Sequence, residues 1–384
     1  MAGCTLSVEP TVPLEDFSEV VATARVCPVR GDATGTPGEV AWTLDIGSES
    51  WSTPLVVGDN AYFGANDGVL RAVDADSGEV QWTFETAGAI RSEPLVVDET
   101  LFVSSDDGTF SALSLDGELL WASEIGSGNR GDYFFNYGSR AESAGSILVV
   151  ASGDGVVHAL DRETGAERWT FDTLGPIQTN IAIGDGLAFV SSDFGAVYAL
   201  DLATGTKEWS RSTGPAATTH PAYSNGVLVV GSRSTELLGL DAEDGTILWK
   251  QKYGSSWVQS GATIVGDTVY TGSSDIGEVR AYDVLSGDPV WAAKIGGWAW
   301  GTPVDCDGTL FTTSMRPARD QPWEFAVHAL SAADGSILWQ AGTGAGIEWE
   351  PDGLAMYGAA ASPAVASNTI VVPGLDGVVY GFRR

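Results

Sequence analysis

The sequence predicts an all-β fold, an eight-bladed β-propeller of four-stranded blades. Three observations predict it: an internal repeat, a tryptophan that closes each copy, and apolar residues that alternate or run in short stretches. The spacings between successive closing tryptophans are 40, 39, 48, 40, 40, 42 and 48 residues. Four strands in roughly 40 residues are typical of a propeller blade.

Each copy contains the same elements in order. The clearest copies, which begin at Pro54, Ala151 and Ile181, run through short apolar strands joined by Gly- and Asp-containing turns. The Thr-Gly, Ser-Gly or Asp-Gly pair before the last strand supplies the positive φ of a tight turn. Five aspartates lie just before that turn and are expected to accept its backbone N–H groups: Asp74, Asp161, Asp201, Asp241 and Asp283.

The fourth strands carry the closing tryptophans, and we predict that each packs against the next blade and buries a large apolar area. They are Trp42, Trp82, Trp121, Trp169, Trp209, Trp249, Trp291 and Trp339.

The first fourth strand, residues 40–46, has no three strands before it. The carboxyl end supplies them in residues 362–366, 368–372 and 378–382, which have no fourth strand after them. The two ends are therefore predicted to complete one blade, so that no sheet edge is left at the seam. The propeller domain occupies residues 40–384.

The charge balance is strongly acidic. The chain has 51 acidic and 19 basic residues, four of them lysines, and a formal net charge of −32. This composition excludes nucleic-acid binding, which needs clustered basic residues. Because the acids are spread along the whole chain, we interpret them as a surface of the haloarchaeal type, in which molar salt screens the repulsion. No apolar run is long enough to span a membrane as a helix.

The amino end opens with Met1-Ala2-Gly3-Cys4, which resembles the end of a lipobox. Residues 1–39 are polar and aperiodic, as a tether would be, and we predict a lipidated Cys4 on that basis; a chance match is the alternative. The other cysteines are Cys27 and Cys306. In an exported protein they would form a disulfide that fastens the tether to the propeller, or else remain two buried thiols.

The repeat resembles that of pyrroloquinoline-quinone (PQQ) propellers, and residues 197–209, Val-Tyr-Ala-Leu-Asp-Leu-Ala-Thr-Gly-Thr-Lys-Glu-Trp, carry the resemblance. That superfamily includes quinoprotein alcohol dehydrogenases and also the non-enzymatic eight-bladed lipoprotein of the bacterial outer-membrane assembly machine. The resemblance covers nearly the whole chain after residue 39. It implies the fold and leaves the function open.

The dehydrogenases of this superfamily carry two adjacent cysteines over the cofactor and place Glu, Asn and Asp side chains on calcium. The three cysteines of this chain are nowhere adjacent, and the calcium ligands do not map onto it. We predict no catalytic residue, no metal site and no cofactor, with PQQ plus calcium as the alternative. The segment from Asp74 to Gly78 is interpreted as a turn, and His158 and His328 as structural.

Insertions fall in the loops of one face, defined here as the top face: the connections between blades and the loops between second and third strands. Aromatic residues and arginines gather there, which indicates a docking surface. The candidates are Trp51, Arg91, Arg130, Tyr133, Phe134, Phe135, Tyr137, Arg140, His220, Trp257, Trp298, Trp300, Arg316, Arg319, Trp323, Trp349 and Tyr357.

The alternative is that these side chains fold inward and plug the channel. We favour a non-enzymatic, extracytoplasmic, monomeric propeller that docks a protein partner on the top face. A minimal PQQ-dependent dehydrogenase and a sensor of small ligands or sugars remain the rival functions.

Overall fold

The computed structural model describes residues 27–31, 35–126, 138–214, 219–317, 325–344, 348–349 and 354–384. These residues form eight four-stranded antiparallel sheets, which are the blades, and one small additional sheet. Blades 1 to 4 each use four consecutive strands. Blade 1 consists of β2 Leu55–Val57, β3 Asn60–Phe63, β4 Val69–Asp74 and β5 Val80–Glu85, and blade 2 of β6 Leu95–Val97, β7 Thr100–Ser104, β8 Thr109–Ser114 and β9 Leu119–Glu124. Blade 3 consists of β10 Glu142–Ala144, β11 Ile147–Ala151, β12 Val156–Asp161 and β13 Glu167–Asp172, and blade 4 of β14 Ala182–Gly184, β15 Leu187–Ser192, β16 Ala196–Asp201 and β17 Lys207–Ser212.

Blades 5 to 8 repeat this order, and the last one is shared between the chain ends. Blade 5 consists of β18 Ala222–Ser224, β19 Val227–Gly231, β20 Glu236–Asp241 and β21 Ile247–Lys252, and blade 6 of β22 Thr263–Val265, β23 Thr268–Gly272, β24 Glu278–Asp283 and β25 Pro289–Lys294. Blade 7 consists of β26 Val304–Cys306, β27 Thr309–Thr313, β29 Val327–Ser331 and β30 Ile337–Ala341, and blade 8 of β33 Ala364–Val365, β34 Thr369–Pro373, β35 Val378–Arg383 and β1 Val40–Asp45. The eight-bladed all-β fold is thereby confirmed, and within the described residues no α-helix occurs.

Closure of the ring follows the predicted plan. Strand β1 pairs antiparallel with β35, with Thr43 opposite Tyr380 and Asp45 opposite Val378. The amino-terminal strand therefore supplies the outer strand of a blade whose other three strands come from the carboxyl end. The short first strands of the blades line the centre of the ring, and the apolar cores lie between neighbouring blades.

The turn before a fourth strand explains why the repeat contains an aspartate and a glycine there. In blade 1, Asp74 Oδ1 accepts hydrogen bonds from the Ser77 amide at 2.8 Å and from the Ser77 hydroxyl at 2.7 Å. Gly78 follows with φ 76°. Asp161 and Asp283 make the same contacts in their own turns. These bonds lower the pKa of Asp283, since they favour its charged form.

Each closing tryptophan lies against a glycine of the following blade's turn. A Cβ placed on Gly245 would come within 2.7 Å of the Trp209 ring, and one placed on Gly205 within 2.6 Å of the Trp169 ring. The indole N–H of Trp209 donates to the carbonyl oxygen of Ala242 at 2.9 Å. The glycine therefore serves the backbone turn and also leaves room for the ring from the previous blade.

A small sheet ties two top-face loops together. It consists of β28 Met315–Pro317, from the second-to-third-strand loop of blade 7, with β31 Glu348–Trp349 and β32 Leu354–Gly358, from the connection to blade 8. Residues of the described insertions are thus held by backbone pairing.

The segment 27–31 lies against blades 7 and 8. Cys27 and Cys306 are joined in a disulfide, with their Cα atoms 5.1 Å apart. The guanidinium of Arg384 donates to the carbonyl oxygen of Pro28 at 2.8 Å and pairs with Asp307 at 3.2 Å. The amino-terminal segment, blade 7 and the last residue therefore form one connected cluster. Cys4, the predicted lipidation site, lies outside the described residues.

Among the described residues, no helix has the length and hydropathy needed to cross a membrane.

Candidate functional site

A ring of polar side chains surrounds the channel where the first strands begin. Seven blades contribute one residue each at the equivalent place, and blade 6 has Gly261 there. This set, called the polar ring below, consists of Thr53, Glu93, Arg140, Asn180, His220, Thr302 and Ser362.

Hydrogen bonds link members of the polar ring from blade to blade. The amide of Thr302 donates to Ser362 Oγ at 2.9 Å, and the amide of Ser362 donates to Thr53 Oγ1 at 3.1 Å. On the other side, the Asn180 amide donates to His220 Nδ1 at 2.7 Å. Because Nδ1 accepts this bond, the neutral His220 ring carries its proton on Nε2. The ring residues thus join neighbouring blades as well as lining the channel.

The only full positive charge of the polar ring belongs to Arg140, and it is paired. Its guanidinium contacts Glu93 Oε1 at 2.9 Å and also the carboxylate of Glu142. Burial alone would lower the pKa of Arg140, but the carboxylates of Glu142 and Glu93 raise it above its ordinary value. The arginine that the sequence assigned to the docking surface therefore lies in the channel wall, held between two acids.

The polar ring forms one end of a cavity of about 700 Å³. The cavity continues along the first strands to Tyr223, Val265 and Asp305, next to the bottom-face turns. A second cavity of about 360 Å³ with a largely apolar lining lies beside it, and Cys27 contributes to both. None of the described aromatic residues predicted for the top face lines the larger cavity.

An apolar layer lies on the top-face side of blades 7, 8 and 1. This layer, called the apolar cap below, consists of Trp51, Trp300, Met315, Met356, Ala360 and Leu375. Trp51 and Trp300 are 5% and 4% exposed. Trp298 stacks on Trp300 with ring centroids 5.2 Å apart. Trp51 and Trp300 were predicted as docking contacts, and the structure places both rings buried within the apolar cap.

Other predicted residues of the top face do reach the surface. Trp257 is 38% exposed and lies beneath the guanidinium of Arg233, 5.2 Å from the ring centroid. Arg91 is half-buried; it bonds Asn66 Oδ1 at 3.1 Å and also pairs with Asp106. Burial raises the pKa of Asp106, and Arg91 opposes that shift.

The additional sheet carries three more predicted residues. Arg316 is exposed on β28 and lies opposite Tyr357 on β32, which is half-buried. Trp349 belongs to β31. Seven predicted positions lie outside the described residues: Arg130, Tyr133, Phe134, Phe135, Tyr137, Arg319 and Trp323.

The two histidines interpreted as structural lie on third strands. His328 is fully buried and its ring nitrogens contact Ser314 Oγ and Gln340 Nε2, each at 2.8 Å. Burial lowers the pKa of His328 to about 3, so it is neutral at physiological pH. His158 Nδ1 lies 3.0 Å from Glu167 Oε2.

In the part of the chain that the structure describes, one group of side chains has the spacing of metal ligands: Cys27, Cys306 and Asp307. Its two sulfurs form the disulfide and its carboxylate pairs with Arg384. These atoms are already engaged, so the group does not make a metal centre.

Sequence reasoning missed most of the polar ring. The sequence signal for these positions is a polar residue followed by proline at the start of a first strand. It recurs as Thr53-Pro54, Glu93-Pro94, Thr302-Pro303 and Ser362-Pro363. Proline suits the first position of a strand, where its missing N–H breaks no ladder bond. Aligning the copies at these prolines would have placed the preceding side chains at one level of the channel.

The blade architecture, the closing tryptophans and the turn chemistry define this chain as a propeller of PQQ-like repeats. It belongs to the outer membrane protein assembly factor BamB family, which matches residues 32–136, 135–221, 214–294 and 275–384. The predicted resemblance is therefore confirmed at the level of the family.

Three proteins illustrate what the chain is similar to. The outer membrane protein assembly factor BamB of Burkholderia pseudomallei (strain K96243) is 34% identical over 118 residues, which is 30% of this chain and 26% of that protein. The match thus spans about a quarter of that relative's length. Among solved structures, BamB from Moraxella catarrhalis has a TM-score of 0.66 at 18% identity, covering 90% of this chain and 99% of its own.

The quinohemoprotein alcohol dehydrogenase from Comamonas testosteroni has a TM-score of 0.67 at 13% identity, covering 90% of this chain and 76% of its own. At such identities the structural likeness establishes the fold alone.

The channel lining does not fit PQQ. PQQ is a tricarboxylic quinone, so a protein that binds it needs positive charge around it. Among the residues that the structure describes, the lining of the larger cavity offers one arginine, Arg140, which is already held by Glu93 and Glu142. Asp305 adds further negative charge at its other end, where the carboxylate of Asp307 is paired with Arg384. We therefore derive no step through this cofactor.

Proposed function

We propose that this protein is a non-enzymatic scaffolding propeller that works outside the cytoplasmic membrane and docks a protein partner on its top face. The observation that carries the proposal is the separation between the top face and the channel cavity. The described aromatic residues of the top loops line no part of that cavity. Trp51 and Trp300 pack into the apolar cap with Trp298 against it, and Trp257 lies at the surface.

This arrangement favours a protein partner over a small ligand. A sugar or quinone site needs a concave pocket with convergent side chains. Here the top loops are braced by the apolar cap and the additional sheet, which gives a rigid platform. Rigid platforms with exposed aromatic and arginine side chains are typical of protein interfaces. Membership of the BamB family, whose name describes outer-membrane protein assembly, also supports an assembly role.

The location is part of the same proposal. A disulfide between Cys27 and Cys306 suits an oxidising compartment. The net charge of −32 suits high salt, and lipidation of Cys4 would hold the propeller at a membrane surface. We expect the protein to be monomeric there.

Photo-crosslinking from single positions tests the docking face. A photoreactive residue replaces Trp257 or Arg316, which are exposed on the top face, and Asp59, which is exposed in a bottom turn of blade 1, serves as the control. In intact cells at high salt we expect the top positions to give one defined adduct, identified by mass spectrometry. The purified partner should then bind the protein more weakly after Arg316→Glu. Adducts from Asp59 alone would contradict the proposal.

A PQQ titration tests the rival function. Because the cavity lining is negative apart from the paired Arg140, we expect no saturable quenching of tryptophan fluorescence by PQQ, with or without calcium, in molar salt. Glu93→Gln and Glu142→Gln, which remove negative charge, serve as comparison variants. Saturable, calcium-dependent quenching of the unaltered protein would instead support a dehydrogenase.

A further inference from the structure

Leu174 occupies a backbone position that most copies of the repeat give to glycine, although blade 1 has Ala87 there. It lies two residues after the fourth strand of blade 3, with φ 63°; Gly47 and Gly254 hold the same place after their strands with φ 62° and 64°. Its amide donates to Asp172 Oδ1 at 2.7 Å, as that of Gly47 donates to Asp45 Oδ1 at 3.0 Å. The two turns have the same hydrogen bond. However, the left-handed backbone conformation is unfavourable for leucine, which has a Cβ, and is not unfavourable for glycine. Its side chain is 79% exposed.

Thr235 repeats this exception in blade 5. It has φ 67° at the end of the second-to-third-strand loop of blade 5, where Gly68, Gly108 and Gly195 have φ between 77° and 90°. A β-branched residue is rare in this region. The other non-glycine residues with positive φ in the described part of the chain lie in bottom turns and are Asp98, Glu99, Asp185, Asn225 and Asp307. The strained residues of the top face therefore fall in one sector.

Phe194 is a third departure in the same sector. It stands two residues before the third strand of blade 4, where blades 1 and 2 have Asp67 and Asp107. Those aspartates accept the amides of Val69 and Thr109 at 3.0 and 2.9 Å, a bond that a phenylalanine does not offer. Phe194 is 65% exposed. An exposed aromatic ring has thus replaced a residue that stabilises the loop.

These residues adjoin one another across blades 4 to 6. Phe194 lies over Gly175, next to Leu174, since a Cβ on Gly175 would come within 2.6 Å of its ring. The neighbouring carboxyl of Asp193 faces Arg233; burial raises the pKa of Asp193 to about 6, and Arg233 opposes the shift. Arg233 in turn covers Trp257. The name blade 4–6 patch is used below for Leu174, Phe194, Arg233, Thr235 and Trp257.

The sector around the patch is nearly uncharged. Its described top-face segments, residues 173–181, 193–195, 213–214, 219–221, 232–235, 253–262 and 273–277, contain one arginine, Arg233, and two aspartates, Asp193 and Asp275. The whole chain, in contrast, has a net charge of −32. A surface with little net charge costs less to remove from water and exerts little electrostatic preference for a charged segment.

We propose that the blade 4–6 patch is the part of the top face that binds a partner, and that it takes an uncharged polypeptide segment rich in aromatic side chains. At Leu174, Phe194 and Thr235 the residue common in the other blades would suit the backbone better. Leu174 and Phe194 also expose large apolar side chains. Local strain that the fold does not need is expected at a binding site. The inference rests on the proposed docking function, for which it names the surface and the partner chemistry.

The test replaces three residues of the blade 4–6 patch by those found at the same positions in other blades. The variant Leu174→Gly, Phe194→Asp, Thr235→Gly restores the residue types most common at these positions in the other blades, so we expect its melting temperature to equal or exceed that of the unaltered protein. A short labelled peptide that alternates aromatic with Ser and Thr residues is titrated at high salt and followed by anisotropy. We expect the Kd to rise by at least about tenfold in the variant, since two exposed apolar anchors are lost.

Matched controls fix the interpretation. Leu120→Asp changes another exposed leucine, on the outer strand of blade 2, and should leave the Kd unchanged. Peptides with alanine in place of the aromatics, or with added aspartates, should bind weakly. An unchanged Kd in the repeat-restoring variant, or a marked fall in its melting temperature, overturns the inference. Failure of the peptide to bind also overturns it, whereas a defined top-face adduct in the crosslinking experiment would still support docking.

Discussion

Replacing the strand Val40–Asp45 by a glycine-serine linker of equal length should open the propeller and cause aggregation. Strand β1 satisfies the outer edge of β35, so its removal leaves a row of unpaired N–H and C=O groups. It also removes Trp42, which packs among Ala61, Phe63 and Val371 and donates its indole N–H to Ala75 at 3.0 Å. Size-exclusion chromatography and the melting temperature report both effects.

The control for this experiment keeps the strand and removes the disulfide that joins the amino-terminal segment to blade 7. Cys27→Ser with Cys306→Ser retains β1 and should remain a soluble monomer, with a lower stability. A linker variant that stays monomeric and melts at the original temperature would show that the shared blade is not needed for closure.

Trp209→Ala is expected to lower the free energy of unfolding by about 3–5 kcal/mol, as for other buried aromatic residues. The Trp209 side chain is 9% exposed and packs with Leu228, Val230 and Leu240 of the next blade. Its truncation leaves a cavity between two blades and an unpaired carbonyl at Ala242. Urea denaturation measures the loss.

Glu208→Ala, at the adjacent exposed position on the same strand, is the comparison variant and should change stability by less than about 0.5 kcal/mol. A loss below about 1 kcal/mol for Trp209→Ala would mean that the ring does not hold the blades together, contrary to the packing described above.

The sequence predicted the fold well because the repeat encodes local chemistry eight times. The turn aspartates, the glycines and the tryptophans act through contacts that recur at a fixed spacing, as with Asp74, Gly78 and Trp42. The shared blade followed from counting strands at the two ends.

The candidate site was harder to predict. The burial of a side chain in an irregular loop depends on which distant parts of the chain pack against that loop. Trp300 and Trp257 are the same residue type in the same kind of loop, yet one is 4% and the other 38% exposed. The side chains of Glu93 and Asn180 point into the channel only because their strands are innermost in the ring. Leu174 carries no sequence signal of strain until its turn is aligned with that of Gly47.

The bond between Cys27 and Cys306 also has a mechanical consequence. It encloses the chain from blade 8's outer strand through the first strand of blade 7 in a covalent loop, with a sequence separation of 279 residues. A pulling force applied to residues before Cys27 would pass through the sulfurs into blade 7 and would not reach strand β1. A propeller held by its amino end could therefore bear load without having its closing strand peeled away.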